Sequence, residues 1–265
     1  MQSGDAFILS EKPQGYRGAI LCLHGLTGAA PEMERLGVVG RQAGFLVATP
    51  TLLGHRRQDI QDLRLIRLNQ WLAEAEDEFL TLSRQAEGRP LVVAGLSFGA
   101  LLALHLAVTH PERVSAVFAC SPPFLLRPSL SETIAVVGSY LPEACLSYLG
   151  TVEKSTRREN RWALPRQSME RHSVGAVMRM KKLIRILTPQ LARFTGKAML
   201  LQDPHDHHLS PDSASSLASG LCRAEVEVTL VPRGEHELTV GWSHQFVEQR
   251  LSMLLQAVTA GSAIG

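Results

Sequence analysis

Short apolar runs alternate along this chain with longer segments in which apolar positions recur every three or four residues. Several of the short runs are almost entirely apolar, which is typical of strands buried on both faces of a sheet. Strands that alternate with helices predict a mostly parallel sheet flanked by helices, and hence the α/β class. The predicted strands lie at residues 6–9, 19–23, 46–48, 91–94, 116–119, 198–201 and 226–230.

Three of the longer segments predict helices in different environments. Between Trp71 and Gly88, apolar residues at helical spacing predict an amphipathic helix packed on the sheet. Residues 98–108 are apolar on nearly every side, which predicts a central, buried helix. A last amphipathic stripe near the C-terminus consists of Val247, Leu251 and Leu254.

One segment, residues 124–187, interrupts this alternation. It carries helical patterns and no convincing strand, and prolines at positions 128, 142 and 165 divide it. So long a helical run inside a series of strands and helices predicts an inserted cap rather than a separate domain. We therefore expect an α/β core formed by residues 1–123 and 188–265, with a small helical cap insertion at 124–187.

The second half of this segment is basic. Residues 153–185 contain ten Lys or Arg against three Glu. Within 177–187, basic Arg179, Lys181, Lys182 and Arg185 interleave with apolar residues at helical spacing. We interpret this pattern as a solvated cap face whose apolar side covers the core. Attraction to an anionic substrate or to a lipid surface is the alternative.

Composition narrows the class of protein further. The 265 residues are 45% hydrophobic and carry a net charge of +2, so no global field favours nucleic acid. The N-terminus lacks the features of a secretory signal, and no apolar stretch approaches the ~20 residues that span a bilayer. Four widely spaced cysteines predict reduced core thiols. We expect a cytoplasmic protein without stable membrane insertion, and the sequence leaves its oligomeric state open.

The candidate nucleophile is Ser97, in the sequence Gly-Leu-Ser-Phe-Gly at 95–99. A predicted strand precedes it, and the predicted buried helix follows. This strand–turn–helix setting is the one in which Gly-x-Ser-x-Gly presents a reactive serine. Gly95 and Gly99 leave room for a tight turn, and the helix N-terminus favours developing negative charge.

Acyl transfer also needs two backbone N–H groups that bind the oxyanion of the tetrahedral intermediate. One is expected from Phe98, directly after the candidate nucleophile, and the other from the loop after an early strand. In the His-Gly-Leu-Thr-Gly loop at that place we assign the second donor to Leu26, because Gly25 lets the chain turn close to the site. His24 and His55 are expected to support these loops through hydrogen bonds.

The acid is expected after the serine and before the histidine along the chain. The loop after the predicted strand at 198–201 holds two candidates. We favour Asp206 over Asp203, because Asp203 precedes a proline and lies too near the strand end. The His-Asp-His-His run at 205–208 could also indicate a metal site, but side chains of adjacent residues in one loop rarely bind the same ion. We therefore predict no metal and no cofactor.

The candidate base is His236, which directly follows the last predicted strand. A serine needs a base to take its proton, and a carboxylate must hold the imidazole in the correct tautomer. His244 is the rival candidate, but it falls at the start of the last predicted helix. Ser97, Asp206 and His236 are thus the predicted catalytic residues.

These motifs together resemble the α/β-hydrolase superfamily, and more narrowly bacterial carboxylesterases and monoacylglycerol-lipase-like enzymes with a small helical cap. The shared pattern covers about residues 17–256, the cap by position more than by sequence. The chain departs from the family pattern at three places. Arg56 and Glu235 each stand where the family commonly has glycine, and Gln202-Asp203 replaces a more typical small residue.

The resemblance implies a serine carboxylic-ester hydrolase that acts on short- to medium-chain acyl esters through an acyl-enzyme, with monoacylglycerols as a candidate class. The expected partner is therefore a small-molecule ester. A thioesterase, a C–C hydrolase or an acyltransferase using the same three residues is the alternative within this chemistry. A non-catalytic ligand-binding protein of the same fold is the alternative from another class.

Overall fold

The computed structural model describes residues 7–8, 14–57, 59–128, 130–153, 169–233 and 235–261. Its strands are β1 (Phe7–Ile8), β2 (Gly18–Leu23), β3 (Phe45–Thr49), β4 (Leu91–Leu96), β5 (Val114–Cys120), β6 (Thr151–Glu153), β7 (Arg171–Ser173), β8 (Lys197–Gln202) and β9 (Glu225–Leu230). Its α-helices are α1 (Glu34–Gln42), α2 (Ile60–Leu65), α3 (Leu68–Ala86), α4 (Phe98–Thr109), α5 (Leu130–Gly138), α6 (Glu143–Leu146), α7 (Val174–Leu187), α8 (Ser213–Gly220) and α9 (His244–Gly261).

Seven strands form one sheet in the order β1-β3-β2-β4-β5-β8-β9. β1 runs antiparallel to β3, and all the other neighbours are parallel, so the predicted mostly parallel sheet is confirmed. Of the first predicted strand, positions 6 and 9 lie outside the described residues. The register pairs Leu23 with Gly95 and Leu96 with Cys120. The carboxyl ends of these parallel strands therefore meet at one edge, where the loops that follow them converge.

Helices cover both faces of the sheet, as predicted. Successive residues of a strand point to opposite faces, so Leu21 packs on one side of the sheet and Ile20 on the other. The first face is covered by α3, α4 and α8, with α7 packed on the outer side of α3 and α4, and the second face is covered by α1 and α9. The predicted central helix corresponds to α4, in which every residue from Phe98 to Leu104 is buried.

The segment 124–187 contains α5, α6 and α7, as its helical pattern predicts. The expectation that it holds no strand is wrong, because β6 and β7 pair antiparallel, with Thr151 opposite Ser173. Each of these strands is three residues long, too short for an alternating pattern to stand out in the sequence. The division of the chain into core and cap stays a prediction.

The basic residues of α7 are not a solvated face, so that interpretation is wrong for this helix. Arg179 is fully buried and Lys181 is 7% exposed. Buried cations need opposite charges close by, and the neighbouring helices α5 and α6 supply them. The partners are Glu143 for Arg179 and Lys182, Glu132 for Lys181, and the ring of Tyr140 for Arg185.

The cysteines are free thiols, but only two of them lie in the core. Cys22 and Cys120 are buried in the sheet, and burial raises the pKa of Cys22 to about 12. Cys145, in α6, and Cys222, in the loop after α8, are exposed. The predicted core location is therefore wrong for these two, since neither lies on a strand of the sheet.

Candidate active site

Ser97 occupies the sharp turn between β4 and α4. Its backbone φ is 52° and its ψ is −115°, a conformation that non-glycine residues rarely adopt. Such a conformation costs on the order of 1–3 kcal/mol and persists only where the surroundings impose it. The Ser97 amide donates to the Cys120 carbonyl of the neighbouring strand at 2.9 Å. The structure thus has the strand–turn–helix arrangement that the motif predicts.

Gly95 and Gly99 are glycines because backbone atoms occupy the space of a side chain. A Cβ added at Gly95 would lie 2.2 Å from the carbonyl carbon and oxygen of Gly99. A Cβ at Gly99 would lie 2.0 Å from the carbonyl oxygen of Leu23. Backbone cannot move aside as a flexible side chain can, so both positions exclude alanine.

We expect Gly99→Ala to lower the free energy of unfolding by about 3 kcal/mol or more, because the new methyl group must displace β2. Urea unfolding followed by circular dichroism measures this loss. Gly150→Ala is the matched control, since a Cβ there meets nothing within 4 Å. A loss of less than about 1 kcal/mol at Gly99 would show that the turn can open to admit a side chain.

Ser97, His236 and Asp206 lie in one hydrogen-bonded line. The Ser97 Oγ is 2.8 Å from His236 Nε2, and His236 Nδ1 is 2.7 Å from Asp206 Oδ2. The three residues come from the loops after β4, β9 and β8, so the parallel sheet brings together groups that are far apart in sequence.

Asp206 is held as an ionised carboxylate. Its burial opposes ionisation, but the charge and hydrogen bond of His236 and the amide of His208 outweigh that effect and lower the pKa of Asp206 to about 2. Its second oxygen, Oδ1, accepts from the amides of His208 and Leu209 at 2.7 and 3.1 Å. An ionised Asp206 accepts a hydrogen bond from the Nδ1–H of His236, which keeps the ring proton on Nδ1 and leaves Nε2 free to accept the proton of Ser97.

The rival candidates lie elsewhere in the same two loops. The Asp203 carboxylate accepts from the amides of His205 and Glu235, both at 2.8 Å. His244 begins α9, and its Nδ1 lies 3.1 Å from the Gly241 carbonyl. The structure therefore brings Asp206 and His236 to Ser97, and not Asp203 or His244.

The two residues predicted to bind the oxyanion, Leu26 and Phe98, belong to separate segments next to Ser97. Phe98 is the first residue of α4, and Leu26 lines the cavity beside Ser97, as does Gly25. Within the described part of the chain, neither amide donates to a protein acceptor. The His55 Nε2 lies 2.7 Å from the Leu26 carbonyl oxygen and fixes the peptide that follows this residue.

His24 supports the same loop, as the sequence predicts. The Leu52 amide donates to His24 Nε2 at 3.0 Å, so the ring proton lies on Nδ1 and is donated to the Gly25 carbonyl at 2.9 Å. The ring also packs edge-on against His55, with 4.7 Å between centroids. Burial, and secondarily His55, lower the pKa of His24 to about 3.

This buried histidine makes stability depend on pH. In the unfolded chain His24 is protonated below about pH 6.5, whereas in the folded protein it is protonated only below about pH 3. The contribution of His24 to stability is therefore complete above pH 6.5 and is lost as pH falls from about 6.5 to about 3, at about 1.4 kcal/mol per pH unit.

We expect His24→Gln to remove this part of the pH dependence of the free energy of unfolding, measured by urea unfolding between about pH 6 and about pH 4. The exposed His205→Gln serves as control, and an unchanged slope in His24→Gln would contradict the assignment.

A cavity of about 350 Å³ opens beside Ser97. The core and the segment 124–187 both contribute to its walls. Its apolar lining includes Leu26, Leu126, Ala135, Val177 and Met180. Within the described residues, no group of three or more His, Cys, Asp or Glu side chains is arranged to hold a metal ion.

The cavity also contains polar residues that no motif singles out: Glu32, Arg127, Glu132, His172 and Glu237. Arg127 has a visible role, because its Nε donates to the Asp206 carbonyl at 2.7 Å. Glu237 directly follows His236, whereas Arg127, Glu132 and His172 come from the segment 124–187, where no local pattern in the sequence marks them.

Comparison with known proteins identifies the family. Residues 14–240 match the family described as serine aminopeptidase, S33, a range that includes Ser97, Asp206 and His236. This chain belongs to that family. It is accordingly a serine hydrolase.

None of the helices in the described ranges is long and apolar enough to span a membrane.

Two relatives of this S33 family member match over nearly its whole length. It is 22% identical over 252 residues to the thermostable monoacylglycerol lipase of Bacillus sp. strain H-257, covering 94% of this chain and 93% of that one. It is 22% identical over 254 residues to a carboxylesterase of Bacillus subtilis strain 168, covering 94% and 98%.

Two solved structures have the same fold as this S33 family member. One, from the description of LipS and LipT, two metagenome-derived lipolytic enzymes, has a TM-score of 0.76 at 20% identity, over 92% of this chain and 95% of that one. The other, a soluble variant of monoglyceride lipase from Saccharomyces cerevisiae bound to a substrate analogue, has a TM-score of 0.77 at 15% identity, over 92% and 87%. The predicted α/β-hydrolase fold is thus confirmed.

Proposed function

We propose that this protein hydrolyses carboxylic esters of short to medium acyl chain length, monoacylglycerols among them, through an acyl-enzyme on Ser97. The observation that carries the proposal is the unbroken line of hydrogen bonds from Ser97 through His236 to Asp206, with distances of 2.8 and 2.7 Å. The names of the two Bacillus relatives agree with an ester as the substrate.

In the acylation step, the Ser97 Oγ attacks the carbonyl carbon of the ester while His236 Nε2 takes the hydroxyl proton. Asp206 stays ionised and stabilises the imidazolium that forms. When the tetrahedral intermediate collapses, the bond to the alcohol oxygen breaks, and His236 returns its proton to that oxygen. The alcohol leaves, and the acyl group remains esterified to Ser97.

The tetrahedral intermediate carries a negative charge on the former carbonyl oxygen. The amides of Leu26 and Phe98 are the donors we assign to it, supported by His24, Gly25 and the α4 N-terminus. A donor of this kind is worth about 10²–10³ in kcat. Gly95 and Gly99 contribute by letting the turn bring the Phe98 amide close to Ser97.

In the deacylation step, water takes the place of the alcohol. His236 removes a proton from the water as it attacks the acyl carbonyl, the bond to Ser97 Oγ breaks, and the proton passes to Ser97. The free carboxylic acid leaves, and the enzyme returns to its starting state.

The cavity supports a small, largely apolar substrate. Its volume of about 350 Å³ lies near the lower end of the roughly 300–1,000 Å³ range of small-molecule sites. Aliphatic side chains, among them Leu126, Val177 and Met180, favour an acyl chain, whereas Glu32 and Glu132 offer acceptors to the hydroxyl groups of a polar alcohol.

The test is hydrolysis of the p-nitrophenyl esters of acetate, butyrate, octanoate and palmitate, with a rapid-mixing record of the first turnover. We expect kcat/KM for butyrate or octanoate to exceed that for palmitate by about 10-fold or more, because an acyl chain longer than the cavity must fold back on itself or push the cavity walls apart. An acyl-enzyme that deacylates slowly gives an initial burst of p-nitrophenol equivalent to the enzyme concentration.

Matched butyryl thioester, amino-acid p-nitroanilide and vinylogous diketone substrates complete the series. Faster turnover of any of these than of the oxygen ester would replace ester hydrolysis with thioesterase, aminopeptidase or C–C hydrolase activity. An absence of turnover on all of them would contradict the proposal.

A further inference from the structure

We propose that Asp203, to which no motif assigns a role, is a positioning residue that holds His236 in line with Asp206 and Ser97. The proposal rests on the function proposed above, because it concerns the same base. The Asp203 side chain is buried, with 4% of the residue exposed, and its carboxylate links the loop after β8 to the loop after β9.

Each oxygen of the Asp203 carboxylate accepts a different backbone amide. Oδ1 accepts from His205, the residue before the acid, and Oδ2 accepts from Glu235, the residue before the base, both at 2.8 Å. Hydrogen bonds to a charged acceptor are roughly twice as strong as neutral ones. One carboxylate thus fixes the backbone directly ahead of both partners of the hydrogen bond between Asp206 and His236.

The other side of His236 is held by a different strand end. Ser121, which follows β5, donates its hydroxyl proton to the His236 carbonyl oxygen at 2.7 Å. The base is therefore anchored before and after its own residue, by Asp203 and by Ser121. With the backbone fixed on both sides, the imidazole has little freedom to turn away from Ser97.

Asp203 and Glu235 are also two of the departures from the family pattern noted above, and a hydrogen bond joins them. Glu235 has a φ of 66°, in the left-handed region that favours glycine. The bond from its amide to Asp203 holds it there. The two departures therefore act together: the carboxylate of Asp203 stabilises the left-handed backbone conformation at position 235, where the residue is not glycine.

Asp203→Asn is the primary test, because the side chain keeps its size. An amide has only one oxygen, so it accepts from one of the two backbone amides and turns a donor towards the other. We expect kcat to fall about 10- to 100-fold, with KM within about 2-fold of wild type, since misplacement of a reacting group acts on the chemical step. Activity is expressed per competent site, counted by completed labelling with a fluorophosphonate probe.

Two further variants separate positioning from folding. Asp203→Gly removes both hydrogen bonds, and the double variant Asp203→Gly/Glu235→Gly also relieves the left-handed residue. We expect the double variant to recover kcat at least about 5-fold over Asp203→Gly alone, which is a coupling that two independent structural losses would not produce. Asp212→Asn, an exposed aspartate of the same loop, is the matched control and is expected to leave kcat unchanged.

The inference is overturned if Asp203→Asn keeps kcat per site within about 2-fold of wild type, if Asp212→Asn loses as much, or if the double variant shows no recovery. These outcomes are distinct from failure of the proposed function. If wild-type protein neither hydrolyses esters nor reacts with the probe, the proposed function itself is wrong. If it does both and the Asp203 variants behave like wild type, only the positioning role is lost.

Discussion

Ser97→Ala is expected to lower kcat/KM for p-nitrophenyl butyrate by at least about 10⁴-fold. The hydroxyl oxygen is the only atom of the side chain that the substitution removes, and it is the atom that attacks the ester carbonyl. The methyl group of alanine fits the space of the serine Cβ, so the turn and its hydrogen bond to Cys120 are retained. The loss therefore reports on chemistry and not on folding.

Ser215→Ala is the control for this experiment. Ser215 is exposed on α8, where its hydroxyl donates to the Asp212 carbonyl at 3.0 Å, far along the chain from the active-site turn. It is expected to retain wild-type kcat/KM. Turnover by Ser97→Ala within about 10-fold of wild type would remove Ser97 from the mechanism, because loss of a nucleophile costs several orders of magnitude.

Asp206→Asn is expected to lower kcat by about 10⁴-fold. Asp206 Oδ1 accepts from the amides of His208 and Leu209, so the single oxygen of an asparagine is retained by those two donors. Its NH₂ group must then face His236 Nδ1. The imidazole then accepts that hydrogen bond at Nδ1 and carries its own proton on Nε2. A protonated Nε2 faces Ser97 and cannot accept the proton of the serine hydroxyl.

The measurement is kcat at neutral pH, with Asp212→Asn as the matched control for the same change of charge. Asp212 is exposed, so its substitution is expected to have no effect on turnover. A loss of less than about 100-fold in Asp206→Asn would show that the carboxylate does not set the tautomer of the base.

The sheet and the site-bearing loops could be predicted from the sequence because of how its strands are buried. The inner strands are buried on both faces and nearly all apolar, so their ends are marked by the first polar residues, whereas β9 is an exposed edge strand marked by its β-branched residues. Parallel strands then carry those loops to a common edge. The order of Ser97, Asp206 and His236 along the chain, each in the loop that follows a strand, is therefore enough to predict that the three side chains meet.

The segment 124–187 could not be predicted to the same depth. Its strand pair is too short to show a period, and α7 looked solvent-facing because charge alone does not reveal an ion-pair partner. Glu143 and Glu132 lie more than thirty residues before the cations they contact, on other helices. The bond between Asp203 and Glu235 is hidden for the same reason, since it joins two loops that only the fold brings together.

We propose that the Ser97 Oγ forms the covalent bond to the acyl group. The most direct measurement is reaction of the wild-type protein with a fluorophosphonate probe, followed by proteolysis and mass spectrometry of the labelled peptide. We predict a single adduct, on the peptide that contains Ser97, and none in Ser97→Ala. An adduct on another residue, or ester hydrolysis that continues with Ser97 unlabelled, would contradict the claim.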